Sequence, residues 1–253
     1  MLAAHVLGVD RVQLLLRDAP LDAGPRGRFE SLLERRAAGE PVAYLEGSRG
    51  FWGLEFAVDA RVLIPRPDSE TLIEAALAHS EASPGVVSDW GTGSGALLLS
   101  FLHERPAWTG IAVDRSVEAL AVAESNARAL DLMDRTQLIA SDWGAQLDDA
   151  SVDLILCNPP YIEPGEELGP GVAEHEPHAA LFTESGQPYA PYERVLTDAA
   201  RVLRPGGRLI FELGRARMDG VARRGAQQGW SEVDRRQDLG GVWRCLVLQR
   251  PEP

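Results

Sequence analysis

From Val86 onward the chain alternates short apolar runs with helical patterns, and this alternation commits it to a mostly parallel sheet with helices on both faces. Val86–Trp90 reads as a strand, and residues 96–103, apolar almost all round, as a buried helix. Residues 110–113 form the second strand, and Ser116 caps a helix running to about Leu130. Thr136–Ala140 and Val152–Cys157 supply strands three and four. Pro191 opens a helix with Val195, Leu196, Ala199, Val202 and Leu203 on one face, which Pro205-Gly206-Gly207 stops. Residues 208–211 are a fifth strand, another helix ends near Gly229, and residues 242–248 are a final strand.

Upstream, residues 2–39 are expected to be helical. Val6, Leu7, Leu14 and Leu15 carry one stripe and Phe29, Leu32 and Leu33 another, with Pro20, Gly24, Pro25 and Gly27 breaking the two apart. Residues 51–58 alternate in part around Gly53 and predict a β-hairpin, and Arg61-Val62-Leu63-Ile64 continues extended to Pro65-Arg66-Pro67. A helix then starts at Asp68, its expected N-cap, with Leu72, Ile73, Ala76 and Leu77 on one face. The divisions are a helical domain over residues 1–40, a hairpin linker over 41–67 and an α/β domain over 68–253.

A chain of 253 residues with 45% hydrophobic content can build one large core and a small satellite. No apolar stretch approaches the roughly 20 residues of a membrane span. The start, Met1-Leu2-Ala3-Ala4-His5, lacks a basic region ahead of an apolar one, so a cytoplasmic location is expected. Cys157 and Cys245 have no metal-ligand spacing and read as buried thiols. The net charge is −13 and every basic residue other than histidine is arginine. Such a chain is a poor non-specific binder of nucleic acid. Arg201, Arg204 and Arg208 could form a local basic patch, solvated surface arginines being the plainer reading.

Chemistry concentrates at Asn158-Pro159-Pro160-Tyr161, directly after the fourth strand. Consecutive prolines cannot continue a ladder, so the strand stops and leaves these groups at its carboxyl end, where open α/β sheets bind ligands. The Asn158 side-chain oxygen and the Pro159 carbonyl can each accept one hydrogen of a flat NH2 group while Tyr161 packs on its face. The plainer reading is a proline-terminated strand with Asn as turn former. After the first strand, Gly91-Thr92-Gly93-Ser94-Gly95 lets backbone approach a ligand at a helix N-terminus. Because Gly91-x-Gly93-x-x-Ala96 also fits the dinucleotide fingerprint, this turn does not separate NAD from S-adenosylmethionine. Asp114 ends the second strand, at the spacing expected of a carboxylate that bonds ribose hydroxyls. Asp142 and Trp143 follow the third, placed to accept from an adenine amino group and to stack on its ring. Acidic residues at the ends of three successive strands imply an adenosine ligand facing Asn158.

These residues resemble class I S-adenosylmethionine-dependent methyltransferases: Asp89-x-Gly91-Thr92-Gly93-Ser94-Gly95, then Asp114, then the Asn-Pro-Pro-Tyr run. Nearly the whole chain is similar to the HemK/PrmC family, the release factor glutamine N5-methyltransferases. Pro41-Val42-Ala43-Tyr44-Leu45-Glu46-Gly47, Phe51-Trp52-Gly53, the block from Val62 through Ile64-Pro65-Arg66-Pro67 to Glu70, and Glu176-Pro177-His178-Ala179-Ala180-Leu181 carry the likeness. The second proline of that block favours this branch over the ribosomal-protein glutamine methyltransferases. The resemblance implies a Rossmann-like, seven-stranded methyltransferase domain behind a substrate-docking helical domain that lacks the family's first helix. It implies S-adenosylmethionine and no metal, with Asp89, Gly91, Thr92, Gly93, Ser94, Gly95, Asp114, Asp142, Trp143 and Asn158 on the cofactor. Phe51, Arg66, Asn158, Pro159, Pro160 and Tyr161 would meet the substrate glutamine, with Asn158, Pro159 and Tyr161 as the catalytic group. The implied partner is a class 1 release factor, methylated by a monomer without direct nucleic-acid contact. A ribosomal-protein glutamine methyltransferase and a DNA adenine N6-methyltransferase are the alternatives, the latter using the same grip on NH2 but needing a target-recognition insertion not seen here. Ala43, Ser69, His175 and Gln187-Pro188-Tyr189 depart from the family's usual Gln, Thr, aromatic residue and Gly-Leu pair.

Overall fold

The computed structural model describes residues 1–16 and 22–250. Short helices α1 (Leu2–Leu7) and α2 (Arg11–Leu15) precede α3 (Ala23–Ala37). The Asp10 carboxylate accepts from the Gln13 N–H at 2.7 Å while the Gln13 side chain accepts from the Asp10 N–H at 3.1 Å, a capping box that starts α2. Gly24, Pro25 and Gly27 lie inside α3 instead of interrupting the helices, a correction to the expected break. Asp22 is the N-cap, so Pro25 falls in the first turn, where its missing N–H would have had no intrahelical partner. Pro20 lies outside the described residues.

α4 (Val42–Glu46) leads into β1 (Ser48–Phe51) and β2 (Leu54–Ala57). Phe51 pairs with Leu54, so Trp52 and Gly53 form a two-residue turn with φ of 50° and 72°, the hairpin geometry that matches strand twist. The hairpin therefore begins three residues before the expected span. Residues 61–64 join no ladder. Val62 and Ile64 instead bury with Ala43, Tyr44 and Val58, and the Tyr44 hydroxyl donates to the Val62 carbonyl at 2.7 Å. Asp68 does not cap the next helix. It sits within a 3-10 turn, Pro67–Ser69, that runs into α5 (Glu70–Ala78).

The main sheet is built from β3 (Val86–Trp90), β4 (Thr109–Asp114), β5 (Thr136–Ala140), β6 (Val152–Cys157), β7 (Leu203–Glu212), β8 (Ser231–Gln237) and β9 (Trp243–Gln249), in the order β5-β4-β3-β6-β7-β9-β8. Only β9 runs against the others. β8 has no counterpart among the expected strands. As an edge strand reading Ser-Glu-Val-Asp-Arg-Arg-Gln it carries one apolar residue and hides its period. β7 starts at Leu203, and the Pro205-Gly206-Gly207 stop forms a bulge unpaired with β6 between Leu203, which pairs with Val152, and Arg208, which pairs with Leu154. One face is covered by α5 and α6 (Ala96–Glu104), whose residues 96–102 are all buried. The other is covered by α10 (Ala190–Val202) and α11 (Met218–Gln227), through Tyr192, Val195, Leu196 and Val221. α7 (Val117–Ala129) packs on β4 and β5, its first turn capped by the Ser116 hydroxyl accepting from the Ala119 N–H. α8 (Val172–His175) and α9 (His178–Leu181) lie in the long connection between β6 and α10.

Both cysteines are buried free thiols. Two of the three arginines of the candidate basic patch are spent on structure: Arg201 donates to the Gly144 and Leu147 carbonyls and pairs with Asp149, and Arg204 pairs with Asp153, while Arg208 has a buried Nη1 without a partner. Among the described residues no helix is long and apolar enough to cross a membrane.

Candidate active site

The chain leaves β5 on one side of β3 and re-enters the sheet as β6 on the other, which makes a crevice at the carboxyl ends of β3 and β6. Trp90 pairs with Cys157, so the loops that begin at Gly91 and Asn158 start side by side. They share a cavity of about 600 Å3, within the range of small-molecule and cofactor sites.

Gly91, Thr92, Gly93 and Ser94 line it. The Gly91 and Thr92 N–H groups are anchored on the Val113 carbonyl at 2.8 and 2.9 Å, which ties the loop to β4. Gly91 has φ 74°, and a Cβ there would lie 3.6 Å from the Trp143 ring. Asp114 faces the cavity and also braces the loop: one carboxylate oxygen accepts from the Gly93 N–H at 3.0 Å, the other from the Ser116 N–H at 2.9 Å. Asp142 lines the wall in an ion pair with Arg194 of α10 at 2.7 Å, and Trp143, held at φ 52°, lines it beside Asp142.

Two members of this group sit behind the surface. Gly95 adopts φ 81° as the N-cap of α6, close against Leu99 and Ala123. Asp89 is buried under the loop, where one oxygen accepts from the Thr92 hydroxyl at 2.7 Å and the other has no partner. Burial pushes its pKa up to about 7, against the pull of the Thr92 hydroxyl and the Leu98 N–H and with a push from Asp114.

Asn158, Pro160, Phe51 and Arg66 line the other half. Pro159 is buried and is not part of the cavity wall. Tyr161 also lies off the wall. Its ring presses on Gly214, where a Cβ would come within 2.8 Å, and burial raises its hydroxyl pKa to about 12. The ring thus packs behind the wall of the cavity.

Sequence reasoning passed over several groups that the fold brings in. Glu176 is buried and accepts from the Ile64 N–H at 3.1 Å while pairing with Arg66, so the linker is fastened to the segment after Asn-Pro-Pro-Tyr. That segment also docks on the end of α3: a Cβ at Gly171 would lie 2.1 Å from the Gly39 carbonyl oxygen. Glu212, at the end of β7, is buried with its pKa pushed up to about 7 by burial, opposed first by Ser69 and then by Arg244. The only sequence signal for it is a carboxylate closing the apolar run Leu209-Ile210-Phe211. Among the described residues no cluster of three His, Cys, Asp or Glu side chains is placed to hold a metal.

Chemically, one half offers carboxylates, an indole face and open backbone to a nucleoside carrying a polar chain. The other half presents a carboxamide a short distance away. The family pattern described as the PrmC N-terminal domain matches residues 1–47, and that described as the methyltransferase small domain matches residues 67–175. A protein named release factor glutamine methyltransferase from Cereibacter sphaeroides is 43% identical over 99% of this chain and 89% of its own length. One of the same name from Burkholderia pseudomallei is 42% identical over 97% of this chain and 88% of its own. Among solved structures, a methyltransferase from Pyrococcus furiosus superposes with a TM-score of 0.57 at 18% identity, covering 88% of this chain and 100% of its own. A ribosomal protein L11 methylase from Lactobacillus delbrueckii subsp. bulgaricus gives 0.56 at 20% identity, over 76% and 82%. At such identities the superpositions speak for the fold.

Proposed function

The chain belongs to the release factor glutamine methyltransferases, and from that premise we propose that it methylates the side-chain amide nitrogen of the glutamine in the Gly-Gly-Gln loop of class 1 release factors, with S-adenosylmethionine as donor. The observation that carries this reading is the adjacency of Gly91 and Asn158 on paired strands, opening into one cavity. The residues present fit the donor. Gly91 to Ser94 suit its amino-acid end, Asp114 the ribose, and Asp142 with Trp143 the adenine.

When bound, S-adenosylmethionine supplies a methyl group on a positively charged sulfur with a good leaving group. The work left to the protein is placement, because an amide nitrogen is a poor nucleophile whose lone pair is delocalised into its carbonyl. The Asn158 oxygen and the Pro159 carbonyl would each accept one hydrogen of the glutamine NH2. They would hold it in line with the methyl and stabilise the positive charge that develops on nitrogen. No base is needed before attack; the proton leaves afterwards to water. Phe51 and Arg66 would bound the substrate channel. The reading carries with it a cytoplasmic location and a monomeric enzyme that contacts protein and not nucleic acid.

Mass spectrometry of purified release factor, after incubation with this protein and S-adenosylmethionine, tests it. One added methyl on the Gly-Gly-Gln glutamine is expected. An unmodified glutamine, with cofactor binding shown by calorimetry, would overturn the substrate assignment and leave ribosomal protein and DNA adenine as the substrates to try.

A further inference from the structure

Glu212 closes β7, one step beyond Phe211, and Phe211 pairs with Cys157 of β6. Asn158, directly after β6, and Glu212, at the end of β7, therefore follow a paired couple side by side. On the other flank Glu212 pairs with Cys245 of β9, so the carboxyl is enclosed and 1% exposed. Its Oε2 makes no hydrogen bond. Ser69, from the turn ahead of α5, and Asn158 lie close enough to pull its pKa back down, and its charged surroundings are Arg244 and Asp68. Tyr161, Tyr192 and Cys245 are the other ionisable groups close enough to feel its charge. The Ser69 hydroxyl oxygen also lies 3.5 Å from the Asn158 Nδ2.

We infer that Glu212 is a positioning residue: together with Ser69 it takes the NH2 end of the Asn158 carboxamide and so turns the carboxamide oxygen toward the cavity. The need for such a device is chemical. The two ends of a carboxamide are nearly the same shape, and surroundings alone decide which way it points. A substrate NH2 group offers only donors to Asn158. A flipped Asn158 would set donor against donor and lose both the grip and the charge stabilisation. An ionised carboxylate accepts and never donates, so it rejects the oxygen end and holds the nitrogen end. Ser69 can accept from Asn158 and still pass its one hydroxyl hydrogen to Glu212. The raised pKa of Glu212 adds that this selectivity is complete only above about pH 7, since the protonated acid can donate as well.

The inference deepens the reading of Asn158 as the grip on the substrate amide and rests on it, so its test has an arm that needs no substrate. The chain contains two asparagines, Asn126 and Asn158. Asn126 is an internal control. It is buried, and its side chain is fixed to Ala57 and to the Ser94 carbonyl. Selective 15N-asparagine labelling of the full chain gives two side-chain NH2 signals, assigned by Asn158→Asp. At pH 8, Glu212→Gln is expected to shift the Asn158 pair and leave the Asn126 pair in place. It should also lower kcat on release factor by about 10²-fold with cofactor Kd unchanged. An unmoved Asn158 pair would overturn the inference. So would equal movement of both pairs, which would mark a general structural role, or a shift of the Asn158 pair with kcat intact. If the wild type fails to methylate release factor, the substrate assignment fails and the NMR arm still decides the role of Glu212. If Glu212→Gln does not fold, Ser69→Ala, which keeps the carboxyl, must displace the same Asn158 signals.

Discussion

Removing the Glu176 carboxylate tests how the linker is held to the catalytic half. Glu176 is 3% exposed, and its two oxygens serve the buried Ile64 N–H and the Arg66 guanidinium. In Glu176→Ala the Ile64 N–H loses a charge-assisted partner and stays buried, which costs about 2 kcal/mol. The Arg66 half contributes less. Its side chain is 35% exposed, so water takes over much of the lost contact, leaving about 1 kcal/mol. The sum is about 3 kcal/mol, and with a urea m-value of about 3 kcal/mol per molar the midpoint should fall by about 1 M. The chain's tryptophans report the transition in a urea titration followed by fluorescence. Glu176→Gln keeps an acceptor for Ile64 and loses only the charge, so it should fall about halfway between. Because Pro65 and Arg66 line the cavity, cofactor affinity should drop with Glu176→Ala as well. A midpoint within about 0.2 M of wild type would refute the clamp, since no ordinary m-value would then leave room for a buried N–H losing its partner.

Other perturbations separate the two halves of the cavity. Asn158→Ala should abolish most methyl transfer while calorimetric cofactor affinity stays within about tenfold, as the proposed grip on the substrate amide requires. Asp114→Ala should weaken the cofactor first, both by losing the ribose carboxylate and by freeing the Gly93 N–H; an unchanged Kd would remove Asp114 from that role. The two buried acids set a pH dependence. Asp89 and Glu212 have folded pKa values near 7, above their unfolded 3.8 and 4.5, so the folded protein binds more protons in between. Apoprotein stability should therefore fall as pH rises from about 4.5 to above 7, by on the order of 3 kcal/mol per group. Glu40, Asp59, Asp234 and Asp238, whose pKa values are lowered by their partners, withdraw stability only below the ordinary carboxylate range. Urea titrations at pH 5 and pH 8 check this, and equal midpoints would refute it.

The parts of this fold that could be read in advance are those where one short segment settles its own state. β3, β5 and β6 are apolar runs ended by glycine, serine or proline, and their bounds needed no tertiary context. Ser116 as a cap and Pro191 in a first turn are equally local. Misreadings came where a residue's meaning depends on position. Pro25 breaks a helix interior but not a first turn, Asp68 is one residue away from where capping would require it, and β8 is a strand only because β9 is there to pair with it. The same holds in the site. Asp114 ends a strand, and Asp142 and Asn158 come within two residues of theirs, so all three could be found by counting. Glu212, Arg194 and Glu176 reach the site through strand order and a long connection, which no spacing along the chain reveals.

The strand order also bears on when this protein becomes whole. β9 (Trp243–Gln249) follows β8 in the chain but lies between β7 and β8. A nascent chain folds from its N-terminus as it emerges, and the parallel strands β3 to β7 can assemble in that order. β9 follows them all in the chain, so this interior place is filled only after the strands on both sides of it have been made. β8 has no partner before then, and the flank of Glu212 that pairs with Cys245 stays open. Removing β9 would leave an open sheet edge at β7 and expose it to pairing with another chain.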